Sequence, residues 1–430
     1  MRTDVDCVMW CMRILARGGA NLASFRHVKV LGLIAMVAAC NFQATRVDNQ
    51  LVDASGGEPV DAPAPPVDAA IPDTPVPPQD TQFCYGAGLL RVCFGSLPIG
   101  NINLPIGGVL DTSGAGCNFV VGQQGGPQLC VISGTNLTVT GNLVAVGTRP
   151  LMLVATDTIT VVGQGSIDVS SVSGGGARTG AGGNASECSL STKGQNDQGG
   201  AGGGAGGSFG TAGGKGGTGD QNDNGPGRAD GGNPGNTQTN PTVLRGGCAG
   251  GDGGNGNSGD PRALGGEGGE GGGAVYLIAA TRITIEGNVF ASGAGGRVTI
   301  GSNGRLEGAG GGGSGGMVVL DAPTIQVSGR VVANGGAGGG GGGNVGGTGG
   351  GNGSTMLWNT RATAGQGDPV PPPSGPAGDG AQGTVTGGVN NLDGRDSDLG
   401  AGGGAGGLGV VFTYGALEGG AMMSPTAVRR

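Results

Sequence analysis

Four stretches of the chain share one pattern of apolar and polar positions. "LTVTGNLVAVG" (137–147), "ITVVGQGSIDVSS" (159–171), "ITIEGNVFASG" (283–293) and "IQVSGRVVANG" (325–335) open with apolar residues at the first and third places and glycine at the fifth. The second copy carries two extra residues at the bend; in the other three an apolar residue follows at the seventh place. Alternation at period two marks strands with one buried face, so each stretch predicts two short strands around a glycine corner. Ile283, Ile285, Val289 and Ala291, with Ile325, Val327, Val331 and Ala333, are the predicted inward residues.

Another strand, expected to be set off by a further corner, precedes each copy: "QLCVIS" (128–133), "LMLVAT" (151–156), "AVYLIAA" (274–280) and "MVVLDA" (317–322). These do not alternate. They are apolar on both faces, as strands are when both sides are covered. Glycine-rich runs lead directly into Ala274, Met317 and Val410, which makes the glycine the expected cover. "GVVFTYG" (409–415) reads as a last strand with no partner strands after it. The first two copies start 22 residues apart and the last two 42 apart. The second interval is read as two steps, with "VTIGSNGRL" supplying a shortened repeat between them.

Strand triplets that cannot bury an apolar face alone must stack, which predicts an all-β parallel solenoid. A β-sandwich also uses short strands. The repeated triplets without hairpin signals favour the solenoid. The divisions that follow are a cap at 83–136, a solenoid at 137–335 with an insert at 174–273, a second insert at 336–408, and a last strand and tail at 409–430.

Composition changes the picture most at the inserts. Of 430 residues 108 are glycine, and only 12% are charged. Glycine loses the most backbone entropy on ordering and has no side chain to bury, so composition alone points to disorder or to a repetitive structure. The inserts contain "GGAGGGAGGSFGTAGGKGGTG" (199–219) and "GGAGGGGGGNVGGTGGGNG" (335–353). Two readings stand: flexible loops, or ordered extended helices of three residues per turn that pack side by side.

The N-terminal segment reads as an export signal. Arg13, Arg17, Arg26 and Lys29 precede the apolar "VLGLIAMVAA" (30–39), and Cys40 follows at once. Ten apolar residues are too few to cross a bilayer and enough for a signal-peptide core. "VAAC" resembles the lipobox of bacterial lipoproteins, which implies cleavage after residue 39, acylation of Cys40 and membrane attachment through the lipid. Residues 40–82 form a Pro/Ala/Asp-rich tether, a semi-rigid spacer. Segment 1–39 holds five of the 22 basic and two of the 30 acidic residues, which leaves 17 against 28 beyond it. An acidic chain without a basic cluster excludes nucleic acid as the expected partner.

Six further cysteines remain. In an exported chain an even number predicts disulfides, here between neighbours: Cys84–Cys93, Cys117–Cys130 and Cys188–Cys248. Zinc is the alternative, but there is no CxxC pair, and the single His27 lies in the signal segment.

Candidate chemistry is sparse. "GGSGG" (312–316) matches a nucleophile elbow without a histidine to activate its serine. "GGKGGT" (213–218) lacks the residue a phosphate loop needs after Lys215. "DQNDNG" (220–225) places Asp220, Asn222 and Asn224 as the start of a calcium loop, but Gly231 stands where the closing Glu belongs. "LDGRDSDLG" (392–400) is a weaker match. Both read as solvated loops ahead of metal sites.

The whole plan resembles the glycine-rich, β-helical exported lipoproteins of myxobacteria, built on a right-handed parallel β-helix. The Gly-Gly-X runs resemble the polyglycine II bundles of springtail antifreeze proteins and phage tip adhesins. Mycobacterial PGRS proteins are superficially similar, but their helical N-terminal domain is missing. The resemblance implies an outer-membrane or cell-surface protein with a structural, adhesive or shielding role and no catalysis. The alternative is a β-helix that binds or cleaves cell-surface polysaccharide.

Overall fold

The computed structural model describes residues 82–104, 108–220, 227–256, 263–298, 306–343, 348, 350–353, 359–368 and 393–430. The signal segment, Cys40, the tether up to residue 81, Asn222 and Asn224 lie outside these residues. So does nearly all of "VTIGSNGRL".

The described residues contain strands and no helix. β1 (Phe83–Tyr85) and β2 (Val92–Phe94) form an antiparallel hairpin closed by the Cys84–Cys93 disulfide. The remaining strands, except β5 (Phe119–Val121), build two parallel sheets. The first contains β3 (Asn101–Leu104), β6 (Leu129–Val139), β8 (Leu151–Val161), β10 (Ala274–Ala279) with β11 (Arg282–Ile285), β13 (Met317–Val327), β15 (Val410–Glu418) and β17 (Val428–Arg429). The second contains β4 (Val109–Asp111), β7 (Asn142–Val146), β9 (Ser166–Asp168), β12 (Asn288–Phe290), β14 (Arg330–Val332) and β16 (Met422–Ser424). β5 pairs antiparallel with β6, and Cys117–Cys130 ties the two together. Apart from β5, every pairing between strands of the two sheets is parallel among the described residues, which argues against a hairpin-built sandwich.

The sequence template sets the register. Leu137, Ile159, Ile283 and Ile325 stack as one column, and Val139, Val161, Ile285 and Val327 as another. Ile167, Val289 and Val331 stack in the second sheet. All eleven are fully or almost fully buried in one apolar core, together with Ala291 and Ala333. Such columns form because a parallel ladder places equivalent residues of successive repeats directly over one another.

Three expectations are corrected. β11 pairs directly with β13, Ile283 against Ile325, so no repeat intervenes; the 42-residue interval is one step lengthened by glycine. The first two strands of each triplet lie in one sheet, with register irregularities at Gly134/Asn136 and Asp321/Thr324 in place of a corner. β15 is followed by β16 and β17, which pair with β14 and β15. Within the stretch 83–136, β3 and β4 pair parallel with β6 and β7.

The cover of the outer face also differs. Val275 and Leu277 face the inner core, while Tyr276 and Ile278 belong to a second apolar cluster. Val92 of the β1–β2 hairpin packs there, with Tyr85, Phe94, Phe119 and Val121 around it. The first insert contributes Phe209 and Leu244. Glycine has no side chain to exclude water, so the aromatic and aliphatic residues of the hairpin, of β5 and of the first insert provide the apolar cover.

One buried polar group fixes that cover. Asp321, on β13, is 4% exposed and accepts hydrogen bonds from the Tyr276 hydroxyl at 2.7 Å and from the Ala87 and Gly88 amides at 2.9 Å each. Burial, then the neighbouring Asp321 charge and its hydrogen bond, push the Tyr276 phenol far above its ordinary value. Tyr276 therefore holds its proton to higher pH in the folded than in the unfolded chain. The resulting stability is fully present below about pH 10 and is lost as pH rises beyond it. Urea unfolding should show wild-type stability falling above that pH and a flatter curve for Tyr276→Phe; equal slopes would contradict a buried neutral phenol. Asp321→Ala strands three donors and should cost about 1–3 kcal/mol at neutral pH.

Candidate functional site

The glycine segments are ordered by their own backbones. Residues 201–207 run through the middle of the array. The amides of Ala201, Gly204 and Gly207 donate to the carbonyls of Leu306, Ala309 and Gly312 at 2.8, 2.8 and 2.9 Å. Gly202 and Ala205 donate to Gln195 and Thr192, and Gly203 and Gly206 donate to Gly217 and Gly214. The carbonyls of 201, 204 and 207 accept from Ala401, Gly404 and Gly407; those of 202 and 205 accept from Gly254 and Gly251; that of 203 accepts from Gly232. Six neighbouring segments are engaged, and each bonding direction recurs every third residue. A chain with three residues per turn sends successive peptide groups in three directions, which accounts for the repeat. Residues 308–316 sit in the same way among segments 248–254, 291–297 and 401–407.

The spacing requires glycine. A Cβ on Gly203 would lie 1.9 Å from the Gly402 carbonyl oxygen, and one on Gly206 1.8 Å from that of Ala405. A Cβ on Gly311 would lie 2.0 Å from the Ala205 oxygen. Of the two readings of the inserts, the described residues follow the ordered one.

Side chains close the margins of the array. The amides of Gly265, Gly268 and Gly271 donate to Asn255, Asp252 and Asn184 at 3.1, 2.9 and 2.7 Å. Lys215 and Thr218 donate to Asp393 and Asp396, both at 2.7 Å. These donors are spaced by three residues, as the outward amides of such segments must be. Asp393 and Asp396 of "LDGRDSDLG" thus serve as acceptors for backbone amides.

Asp220 is fully buried, with φ of 46°. Its partners in the calcium motif, Asn222 and Asn224, lie outside the described residues, and no cluster of three or more potential metal-ligating His, Cys, Asp or Glu occurs among the described ones. Ser314, the serine of "GGSGG", is buried. Its hydroxyl accepts the Cys248 amide at 2.8 Å and contacts the Cys248 carbonyl at 3.3 Å, so it links two segments and offers no exposed nucleophile.

Cys188 is joined to Cys248, within the first insert. Arg245 lies against this disulfide, which no sequence pattern signalled. Two surface features complete the inventory. A groove of about 520 Å³ at the edge of the array is lined by Lys193, Asp252, Asn255, Glu267 and Arg297. Arg297 pairs with Glu267 at 2.8 Å, and Lys193 donates to Asn255 at 2.8 Å. Nearby Glu270 is half-buried; burial raises its carboxyl, Glu267 and Asp252 raise it further, and Arg297 opposes them. The other feature is a strip on the first sheet, where Thr138, Thr160, Thr284 and Gln326 stack in one column and Asn136, Thr158, Arg282 and Thr324 in the next.

No protein-family model, curated protein or solved structure matches the chain.

The array makes a sharp prediction. Gly311→Ala should destabilise by about 3 kcal/mol, since a side chain there meets backbone that cannot yield. Gly163→Ala, where a Cβ meets nothing within 4 Å, should be neutral or stabilising by about 0.4–1 kcal/mol. Urea denaturation of both variants checks the pair; equal midpoints would mean the segments are not closely packed.

Proposed function

We propose that this chain is an exported, lipid-anchored protein of the cell envelope that acts as a rigid, non-catalytic surface element. In this reading the two parallel sheets are coils of a right-handed parallel β-helix, and the glycine segments form a polyglycine II bundle continuous with them. Cys40 carries the lipid and residues 40–82 hold the folded part off the membrane. The single observation that carries the proposal is the array around residues 201–207, whose peptide groups bond to six neighbouring segments. A block held by backbone alone presents little side-chain chemistry and resists local opening. Three disulfides accord with an oxidising, extracytoplasmic setting.

A second reading rests on the groove beside Glu270 and on the stacked Thr/Asn strip, which suit contact with a surface polysaccharide. A carboxyl with a raised pKa beside a charged groove is what a polysaccharide-cleaving site would need.

Two measurements separate these readings. Labelled fatty acid should enter the full-length protein expressed in a bacterial host and not its Cys40→Ser variant; equal labelling would end the anchoring proposal. The purified exported protein, incubated with a panel of bacterial surface polysaccharides, should release no new reducing ends. Release that disappears in Glu270→Gln would overturn the non-catalytic reading and establish the second.

A further inference from the structure

Arg245 is among the largest fully buried side chains, at 1% exposure. Its guanidinium donates to Gln238 Oε1 at 2.6 Å, to Cys188 Sγ at 2.9 Å and to Cys248 Sγ at 3.3 Å, and it lies 5.1 Å from the centre of the Phe209 ring. A guanidinium keeps its charge in any protein environment. Burying it without a counter-charge is costly. Glu187 acts on it through its charge but makes no ion pair or hydrogen bond with it: Oε1 accepts from the Ser186 hydroxyl, and Oε2 is buried without a hydrogen bond. The groups in direct contact are the Gln238 amide oxygen, the Gly246 carbonyl at 3.4 Å, an aromatic face and two sulfurs, none of them charged.

Disulfide sulfurs are weak acceptors and carry no charge. Reduction changes that, because a thiolate at either position would be a full counter-ion for a cation already in place. A neighbouring arginine lowers the thiol pKa, and stabilising the reduced form makes a disulfide more easily reduced. The two cysteines are also unequal in exposure: Cys248 is 2% exposed, while Cys188 is only partly buried.

We propose that Cys188–Cys248 is a thiol-exchange site for an extracytoplasmic dithiol, with Cys188 as the attacked sulfur and Cys248 as the leaving thiolate held by Arg245. One thiolate of the dithiol bonds to Cys188 Sγ, and the Cys188–Cys248 bond breaks with its electron pair passing to Cys248. The second thiolate of the dithiol then attacks its partner sulfur in the mixed disulfide and releases Cys188. The dithiol leaves as its own disulfide, having supplied two electrons and released two protons. With one guanidinium charge available, one of the two cysteines takes a proton back. The fold is positioned to survive the step. Cys248 remains tied to Ser314 through its backbone, with the Ser314 amide on its carbonyl at 3.0 Å, so the array does not depend on the sulfur link.

The test is a redox titration of the full exported protein in graded mixtures of reduced and oxidised dithiothreitol. Free thiols are trapped by alkylation and each cysteine peptide is quantified by mass spectrometry. Cys188–Cys248 should reduce first, at a reductant ratio at least tenfold milder than Cys84–Cys93 or Cys117–Cys130. Arg245→Met should remove most of that difference, while Arg245→Lys keeps part of it and the other two pairs do not move. Brief exposure to glutathione should place the adduct on Cys188. Simultaneous reduction of all three pairs in wild type, an adduct on Cys248, or an unshifted midpoint in folded Arg245→Met would each overturn the proposal. If Arg245→Met does not fold, the wild-type order and the adduct position decide.

Discussion

Amide-to-carbonyl hydrogen bonding between segments that no side chain separates is the constraint on which the rest of this structure turns. Ordering glycine costs more backbone entropy than ordering any other residue. The loss is offset only where every peptide group finds a partner, because an unpaired buried group is expensive. Around residues 201–207 partners are available in all directions, and a Cβ would sit about 2 Å from a neighbouring carbonyl oxygen at several positions. The array therefore combines a high entropic cost with dense bonding, and both follow from the missing side chain.

The parallel sheets decide which glycine meets which. The segment ending at Gly316 enters β13, the one ending at Gly273 enters β10, and the one ending at Gly409 enters β15. Ala274 pairs with Met317, and just upstream Gly272 donates to Ser314; Met317 pairs with Val410, and Gly315 donates to Gly407. The order of neighbours set by the strands thus continues into the glycine. Apolar columns at one end lock the register that the glycine segments cannot lock for themselves.

Buried polar groups hold the parts together at their joints. Ser170, Ser292 and Asn334 occupy successive repeats, each amide of the later residue bonded to the hydroxyl of the one before, and the Ser424 hydroxyl donates to Asn334. Asp321 fastens the N-terminal hairpin over the outer face. Arg245 joins the first insert to its disulfide. Each polar group sits where two elements of different origin meet, and each has its partners, which is the condition for burying it. The rigid envelope element proposed above is consistent with a molecule whose interior is fixed by apolar columns, paired backbones and these hydrogen-bonded polar groups.

Side-chain pattern made half of this legible in advance. The alternation in "ITIEGNVFASG" marks Ile283, Ile285 and Val289 as inward residues, and its match to the copy at 325 makes Ile283 and Ile325 equivalent positions; that they are direct neighbours, with no repeat between, is decided by the structure. The two-faced apolar run at 274–280 announced a strand covered on both sides. The even set of cysteines in an exported chain points to pairing between neighbours, and the structure joins Cys84–Cys93, Cys117–Cys130 and Cys188–Cys248. What covers Tyr276 was not legible, because the hairpin that does so lies some 180 residues away and carries no mark of its destination. Nor was the contact of Arg245 with the Cys188–Cys248 sulfurs, which exists only once the 188–248 loop closes. Least of all could the glycine be read. Every Gly-Gly-X triplet resembles every other, so nothing local says that Gly204 bonds Ala309. A residue without a side chain encodes no face and no register, and only the strands that hold each segment in place supply them.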